Sequence, residues 1–246
     1  MKKILLTSGC SFTESPISWA TPLSKLLNYD LINYGQASRG NGYISRSVIY
    51  GVSELLKTHK PEDILVGVMW SGPNRHEFFT RDTTNTPYDK TSPNPHKFIP
   101  NANKNWIGLS HFWHDYSSKT YYGNFYDDIG GFIYTLEHIL RLQWFLKSYN
   151  INYFMTIFTD IVLPKEDDLK LIDVKHLYDL VDFSKFVDCK SCIDWCIDDS
   201  GLDLNEPDIL SRYSRHPTEE HHILYAERVL YPFITKLYPC KEGENK

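Results

Sequence analysis

The stretch LLTSGCSFTES, residues 5–15, joins a short apolar run to a polar turn that contains glycine. Residues 3–7 (KILLT) predict a short buried strand, and Ser11 follows soon after it. The segments 30–35 (DLINYG) and 63–70 (DILVGVMW) also predict strands that are followed by small polar residues. A continuous apolar run such as DILVGVMW is typical of a parallel strand covered on both faces.

Helical patterns alternate with these strands. Apolar side chains recur at helical spacing in five segments: residues 19–28, 42–57, 132–149, 166–183 and 217–238. A fourth buried strand is predicted for residues 151–158. This alternation predicts an α/β fold with a mostly parallel sheet, and we expect residues 1–246 to form a single domain. Residues 80–128 show no sustained period, and we expect them to form an insertion or lid.

Composition and charge narrow the class of protein. The chain has 246 residues, of which 41% are hydrophobic and 23% charged, as in an ordinary soluble protein. The net charge is −5 and no basic run occurs, so nucleic acid is not expected as a partner. The longest apolar run, ILVGVMW, is too short to cross a membrane. Five cysteines and no secretion signal predict a cytoplasmic protein with reduced thiols.

The segments that follow the first three strands are candidates for a site. They read GCSFT after the first strand, Gly35 and then ASRGNGYI after the second, and SGPNRHE after the third. In parallel sheets, ligands bind beyond the carboxyl ends of the strands. We therefore expect these loops to meet at one edge of the sheet.

Four short blocks occur in a characteristic order: GCSFT, N-Y-G…S-R-G-N, G-P-N-R and R-H-P-T-E-E-H-H. In these blocks the chain resembles the SGNH/GDSL hydrolase superfamily over its whole length, although Cys10 stands where that family usually has Asp. The resemblance implies a flavodoxin-like three-layer α/β/α sandwich with a mostly parallel sheet and a long insertion after the third strand. It also implies hydrolysis or transfer of an acyl ester.

The resemblance assigns roles to particular residues. Ser11 matches the nucleophile and His216 the general base, while the Asn74 side chain and the backbone N–H groups of Gly40 and Ser11 match the oxyanion donors. A serine hydroxyl needs such a base, and fixed donors stabilise the oxyanion that acyl transfer develops. Two neighbours take the place of Gly40 if the loop is shifted: Ser38 and Asn41.

One departure from the family concerns the acid that orients the histidine. Tyr213 occupies the position, three residues before His216, where the family usually has Asp. Asp208, Glu206 or Asp203 could supply the carboxylate from the preceding loop. A Ser–His dyad, in which a backbone carbonyl orients the ring, is a further hypothesis. So is an inactive protein that retains its pocket.

These residues predict a serine esterase that acts on a small ester without a cofactor. An O-acetylated carbohydrate is the suggested substrate, because the aromatic residues of segment 80–128 suit stacking on a sugar. Two competing hypotheses are an inactive binding module for a glycan or protein partner, and an acyltransferase that uses the same site. Oligomeric state stays open.

Other chemical groups have structural interpretations. No metal is expected, since Cys189, Cys192 and Cys196 fit one helical face, and the His111, His114 and Asp115 cluster lies in an irregular region. His222 falls near the inner stripe of the last helix, and the hypothesis that His221 or His222 is the base also stays open. Two possibilities are open for Arg75: it pairs with Glu77, or it binds a substrate carboxylate.

Overall fold

The computed structural model describes residues 2–79, 106–111, 113–188, 191–201 and 216–239. The strands in this part of the chain are β1 (Ile4–Ser8), β2 (Asp30–Asn33), β3 (Ile64–Trp70), β4 (Arg75–Phe79), β5 (Trp106–Ser110) and β6 (Asn152–Ile157). Four of them form a parallel sheet in the order β2–β1–β3–β6. The four predicted strands are therefore confirmed.

The two central strands, β1 and β3, are buried along their whole length. Leu5 pairs with Leu31 on one side and with Leu65 on the other. Such strands need apolar residues at successive positions because both faces of the sheet are covered. That requirement explains the unbroken run ILVGVMW.

The helices of the described residues cover both faces of the sheet. They are α1 (Ser11–Glu14), α2 (Ala20–Leu27), α3 (Asn41–Leu55), α4 (Tyr116–Asn124), α5 (Asp128–Ser148), α6 (Ile172–Tyr178), α7 (Cys192–Asp198), α8 (Glu219–Tyr225) and α9 (Tyr231–Leu237). Leu6 of β1 packs in one core with α3, α5 and α6, whereas its neighbour Leu5 packs in a second core with α2, α7, α8 and α9. The result is a three-layer α/β/α sandwich, as expected.

The predicted helix 166–183 is interrupted, whereas the predicted helix 217–238 is continuous from Glu219 to Leu237 with a local change of hydrogen bonding. In segment 166–183 the backbone of Leu171 is extended, so that a short 3₁₀ turn (Asp168–Lys170) precedes α6 instead of continuing into it. In segment 217–238 a π-helical turn (Ala226–Leu230) separates α8 from α9. Pro232 lies at the start of α9 and has no N–H to donate, which favours such a local change of hydrogen bonding.

The predicted insertion contains regular structure. β4 and β5 pair as an antiparallel ribbon, with Glu77 opposite Gly108, and α4 follows this ribbon. The hydrophobic periodicity of this segment is hard to detect in the sequence because both strands are short and α4 buries little apolar surface. Residues 80–105 and 112 of the predicted lid lie outside the described residues. Among the helices that the structure describes, none is both long and apolar enough to cross a bilayer.

Candidate active site

Ser11 opens the four-residue helix α1 directly after β1. The carbonyl of the preceding Cys10 accepts hydrogen bonds from the N–H groups of Thr13 (2.9 Å) and Glu14 (3.1 Å), which closes this turn. The Cys10 side chain is fully buried and packs in the core beside Phe12 and Trp19. A side chain on Gly9 would overlap Thr13, and the tight turn therefore requires glycine.

The structure brings Ser11 and His216 together. Ser11 Oγ lies 2.6 Å from His216 Nε2, a hydrogen bond between residues 205 positions apart. The ring of Phe12 packs against the imidazole at a centroid distance of 4.7 Å. The Ser11 N–H belongs to the first turn of a helix, where amides have no acceptor within the helix. This amide is therefore suited to bind an anionic oxygen.

The loop after β2 packs directly on α1. Asn33 Nδ2 donates to the carbonyl of Thr13 at 2.5 Å, and the Gln36 N–H donates to the carbonyl of Gly9 at 3.0 Å. A Cβ on Gly35 would lie 2.6 Å from the backbone of α1, so these segments touch main chain to main chain. The first two of the predicted loops therefore meet at the expected edge of the sheet.

Gly40 is the predicted backbone donor, and its N–H points to a carboxylate. It donates to Glu77 Oε1 at 3.4 Å, and Arg46 holds the other oxygen of that carboxylate at 2.6 Å. Ser38, which would replace Gly40 in a shifted loop, has a left-handed backbone with φ of 62°. Such a conformation is uncommon for a non-glycine residue and often occurs in functional loops.

Asn41, the second residue considered in place of Gly40, has a structural role. Its side chain accepts a hydrogen bond from the Ser71 N–H (2.8 Å) and donates to the Ser71 carbonyl (2.9 Å) and to Thr135 Oγ1 (3.0 Å). The three residues are buried. Asn41 therefore fixes the loop after β3 to the start of α3, and its amide is occupied by the protein.

Asn74 lies on the loop after β3, close to the aromatic residues beside Ser11. A Cβ on Gly72 would lie 2.6 Å from Asn74 Oδ1 and 3.8 Å from Phe158 Cε1, so the Asn74 amide lies near the Phe158 ring. Phe158 in turn packs edge-on against Phe12 at 5.2 Å. Tyr122 Oη donates to the Asn74 carbonyl at 2.5 Å and holds this loop in place. The loops after β1 and β3 thus share one aromatic contact.

His221 and His222 lie near His216 on the chain but have different surroundings. His222 is 3% exposed, as the predicted helix stripe requires, and its Nδ1 has no partner among the described residues. Burial, with help from His216 and His221, lowers the pKa of His222 to about 3. His221 Nδ1 lies 2.7 Å from Thr218 Oγ1. Ser11 is thus hydrogen-bonded to His216.

The predicted orienting acids, Asp208, Glu206 and Asp203, lie outside the described residues, as does Tyr213. Cys192 and Cys196 are buried on α7, and Cys189 falls outside the described part. Within the ranges that the structure describes, no three His, Cys, Asp or Glu side chains form a group that could hold a metal ion.

Comparison with known proteins assigns a family. A family model matches residues 8–244, and the chain belongs to that family, a family of unknown function (DUF6071). No curated protein matches the chain.

Two solved structures are similar to the chain. One is a protein assigned to the lipolytic G-D-S-L family from Desulfitobacterium hafniense DCB-2, with 12% identity over 92% of this chain and 96% of that chain and a TM-score of 0.46. The other is a member of the lipolytic G-D-S-L family from Veillonella parvula DSM 2008, with 12% identity over 92% of this chain and 95% of that chain and a TM-score of 0.45.

Proposed function

We propose that this protein is a serine hydrolase that cleaves a small carboxylic ester through an acyl-enzyme on Ser11. The observation that carries the proposal is the 2.6 Å hydrogen bond between Ser11 Oγ and His216 Nε2. A serine hydroxyl is a weak nucleophile until a base removes its proton, and an imidazole at this distance is within reach to do so. The pair lies beyond the carboxyl end of β1, where parallel sheets bind ligands.

The reaction follows from this pair. Ser11 Oγ attacks the ester carbonyl while His216 Nε2 takes the hydroxyl proton. The protonated imidazole then donates that proton to the departing alcohol, and the acyl group remains on Ser11. Water attacks the acyl-enzyme, with His216 again as base, and the carboxylic acid leaves. An alcohol in place of water would give acyl transfer at the same site.

This proposal has three oxyanion donors: the Ser11 N–H, the Asn74 side chain and the Gly40 N–H. Gly40 can contribute only when its N–H leaves Glu77, because the carboxylate accepts it now. Asp208 is proposed as the acid that orients His216. These assignments extend the resemblance, and the packing of Phe158 between the loops of Ser11 and Asn74 supports the role of the Asn74 side chain.

An O-acetylated carbohydrate is the proposed substrate class. A cavity of about 380 Å³ lies between β4 and α4. Its lining consists of four aromatic residues and two residues with aliphatic hydroxyls: Phe78, Tyr116, Tyr121, Phe125, Ser117 and Thr120. Aromatic faces with adjacent hydroxyls suit the apolar face and the hydroxyl edge of a sugar ring.

The test uses 4-nitrophenyl acetate and a fluorophosphonate probe on the intact chain. Ser11→Ala and His216→Ala should each lower kcat by about 10³-fold or more and abolish labelling. Asn74→Ala should lower kcat by about 10²- to 10³-fold, the usual effect of losing one oxyanion donor. Ser53→Ala, at an exposed serine of α3, is the matched control and should behave as the parent protein.

Each possible result has a clear meaning. Labelling that survives in Ser11→Ala contradicts the assigned nucleophile. A parent protein that neither labels nor turns over contradicts the hydrolase and favours a binding module. Ester product formed from an added alcohol identifies an acyltransferase.

A further inference from the structure

Arg75 has no carboxylate partner among the described residues. Its Nη1 donates to Ser71 Oγ at 3.0 Å, and its guanidinium carbon lies 5.8 Å from the centre of the Phe158 ring. The pairing with Glu77 that the sequence left open does not occur, because Glu77 is bound by Arg46 at 2.6 Å. The positive charge of Arg75 is therefore not compensated by a described neighbour.

The position of Arg75 places it at the candidate active site. A Cβ added to Gly40 would lie 3.2 Å from the Cβ of Arg75, so the two residues are in close contact. The Arg75 guanidinium lies near the Phe158 ring, which also packs against Phe12. Phe12 in turn contacts the imidazole of His216. Arg75 thus adjoins the loops that follow β2 and β3, and the Phe158 ring lies between its guanidinium and Phe12 of the loop after β1.

The guanidinium is also held in a defined position. Ser71, whose hydroxyl accepts the Arg75 bond, is fully buried, and its backbone is bound on both sides by Asn41. An arginine that is fixed in advance loses little conformational entropy when it binds an anion. Because the side chain is half-buried, its field is screened less than at an open surface.

We propose that Arg75 binds a carboxylate of the substrate, so that the ester which this site cleaves carries a second, anionic group. The proposal rests on the proposed hydrolase function and narrows its substrate class. A guanidinium presents five N–H donors in a planar fork; one is used by Ser71, and the others suit a carboxylate.

The kinetic test compares two acetyl esters that differ in charge, 4-acetoxybenzoate and its neutral methyl ester. Arg75→Gln should lower kcat/KM for the anionic ester by about tenfold to a hundredfold and leave that of the neutral ester unchanged. Arg75→Lys keeps the charge without the fork and should lose less. Arg141→Gln is the matched control, since Arg141 also donates to a serine hydroxyl, that of Ser45.

The binding test does not depend on turnover. Calorimetric titration of Ser11→Ala with 4-acetoxybenzoate should show binding that Arg75→Gln weakens by about tenfold to a hundredfold, whereas binding of the methyl ester should not change. Arg75-dependent binding in a protein whose parent hydrolyses neither ester would retain the carboxylate site and refute the hydrolase. Three results would each refute the carboxylate site. Arg75→Gln could weaken binding of both esters equally, it could leave the affinity for 4-acetoxybenzoate unchanged, or Ser11→Ala could fail to bind 4-acetoxybenzoate. Circular dichroism melting verifies that each variant folds.

Discussion

Replacing Asn41 by alanine should destabilise the protein severely. The amide of Asn41 makes the paired hydrogen bonds to the backbone N–H and carbonyl of Ser71, at 2.8 and 2.9 Å, in a region where Ser71 is fully buried. Alanine would leave both backbone groups without partners. Each such group costs about 1–3 kcal/mol, so the free energy of unfolding should fall by about 2–6 kcal/mol. A water entering the vacated space would move the loss toward the lower end.

Urea unfolding followed by circular dichroism measures this loss. Asn124→Ala is the matched control: its side chain makes one exposed hydrogen bond to the Thr120 carbonyl, and the change should stay within about 0.5 kcal/mol. A loss below about 1 kcal/mol for Asn41→Ala would refute the reasoning. It would mean that the Ser71 backbone finds other partners and that Asn41 does not hold this loop.

Two further perturbations test the packing. Burial holds the pKa of both His138 and His222 near about 3, below the ordinary 6.5, so the unfolded chain binds more protons at mildly acidic pH. The free energy of unfolding should therefore fall as pH drops below 6.5, by up to about 1.4 kcal/mol per pH unit for each histidine. Urea titrations near neutral pH and at mildly acidic pH measure the slope, and an unchanged slope in His222→Gln would contradict this origin. Gly35→Ala should lower the free energy of unfolding by about 1–3 kcal/mol, because the added Cβ would lie 2.6 Å from the α1 backbone. Gly123→Ala is the control and should not destabilise the protein, since an added Cβ there would meet no atom within 4 Å. Equal melting temperatures for the two variants would contradict the close packing of Gly35.

The sheet could be predicted from sequence because its strands are continuous apolar runs. Such runs are typical of strands with both faces covered, and β3 and β6 met that condition. The four-residue helix α1 is too short to show a helical period, and β4, whose residues are half-buried or exposed, shows no strong alternation. The interruption at Leu171 and the π-helical turn before Pro232 depend on local hydrogen bonding, which a hydrophobic stripe does not report.

For the candidate site, sequence could indicate which residue types gather at the edge but not how they pair. The contact of Ser11 with His216 agrees with the order of the blocks. Glu77 binds Arg46 and the Gly40 amide and does not pair with Arg75. This pairing depends on side-chain packing between β4 and α3, which the sequence pattern does not show. Side chains two positions apart in a strand lie on the same face, so Arg75 and Glu77 of β4 share a face. They nevertheless have different partners: Arg75 bonds to Ser71, and Glu77 bonds to Arg46.

In the proposed hydrolase, the hydrogen bond between Ser11 and His216 would also determine when the site becomes active during synthesis. The ribosome makes residue 216 long after residue 11, since the two are 205 positions apart. The serine therefore emerges early and stays chemically inert until the distant imidazole arrives. Closing so long a loop is entropically costly and is favoured only once the intervening sheet has formed. In the proposed hydrolase, reactivity at Ser11 would thus report completed folding.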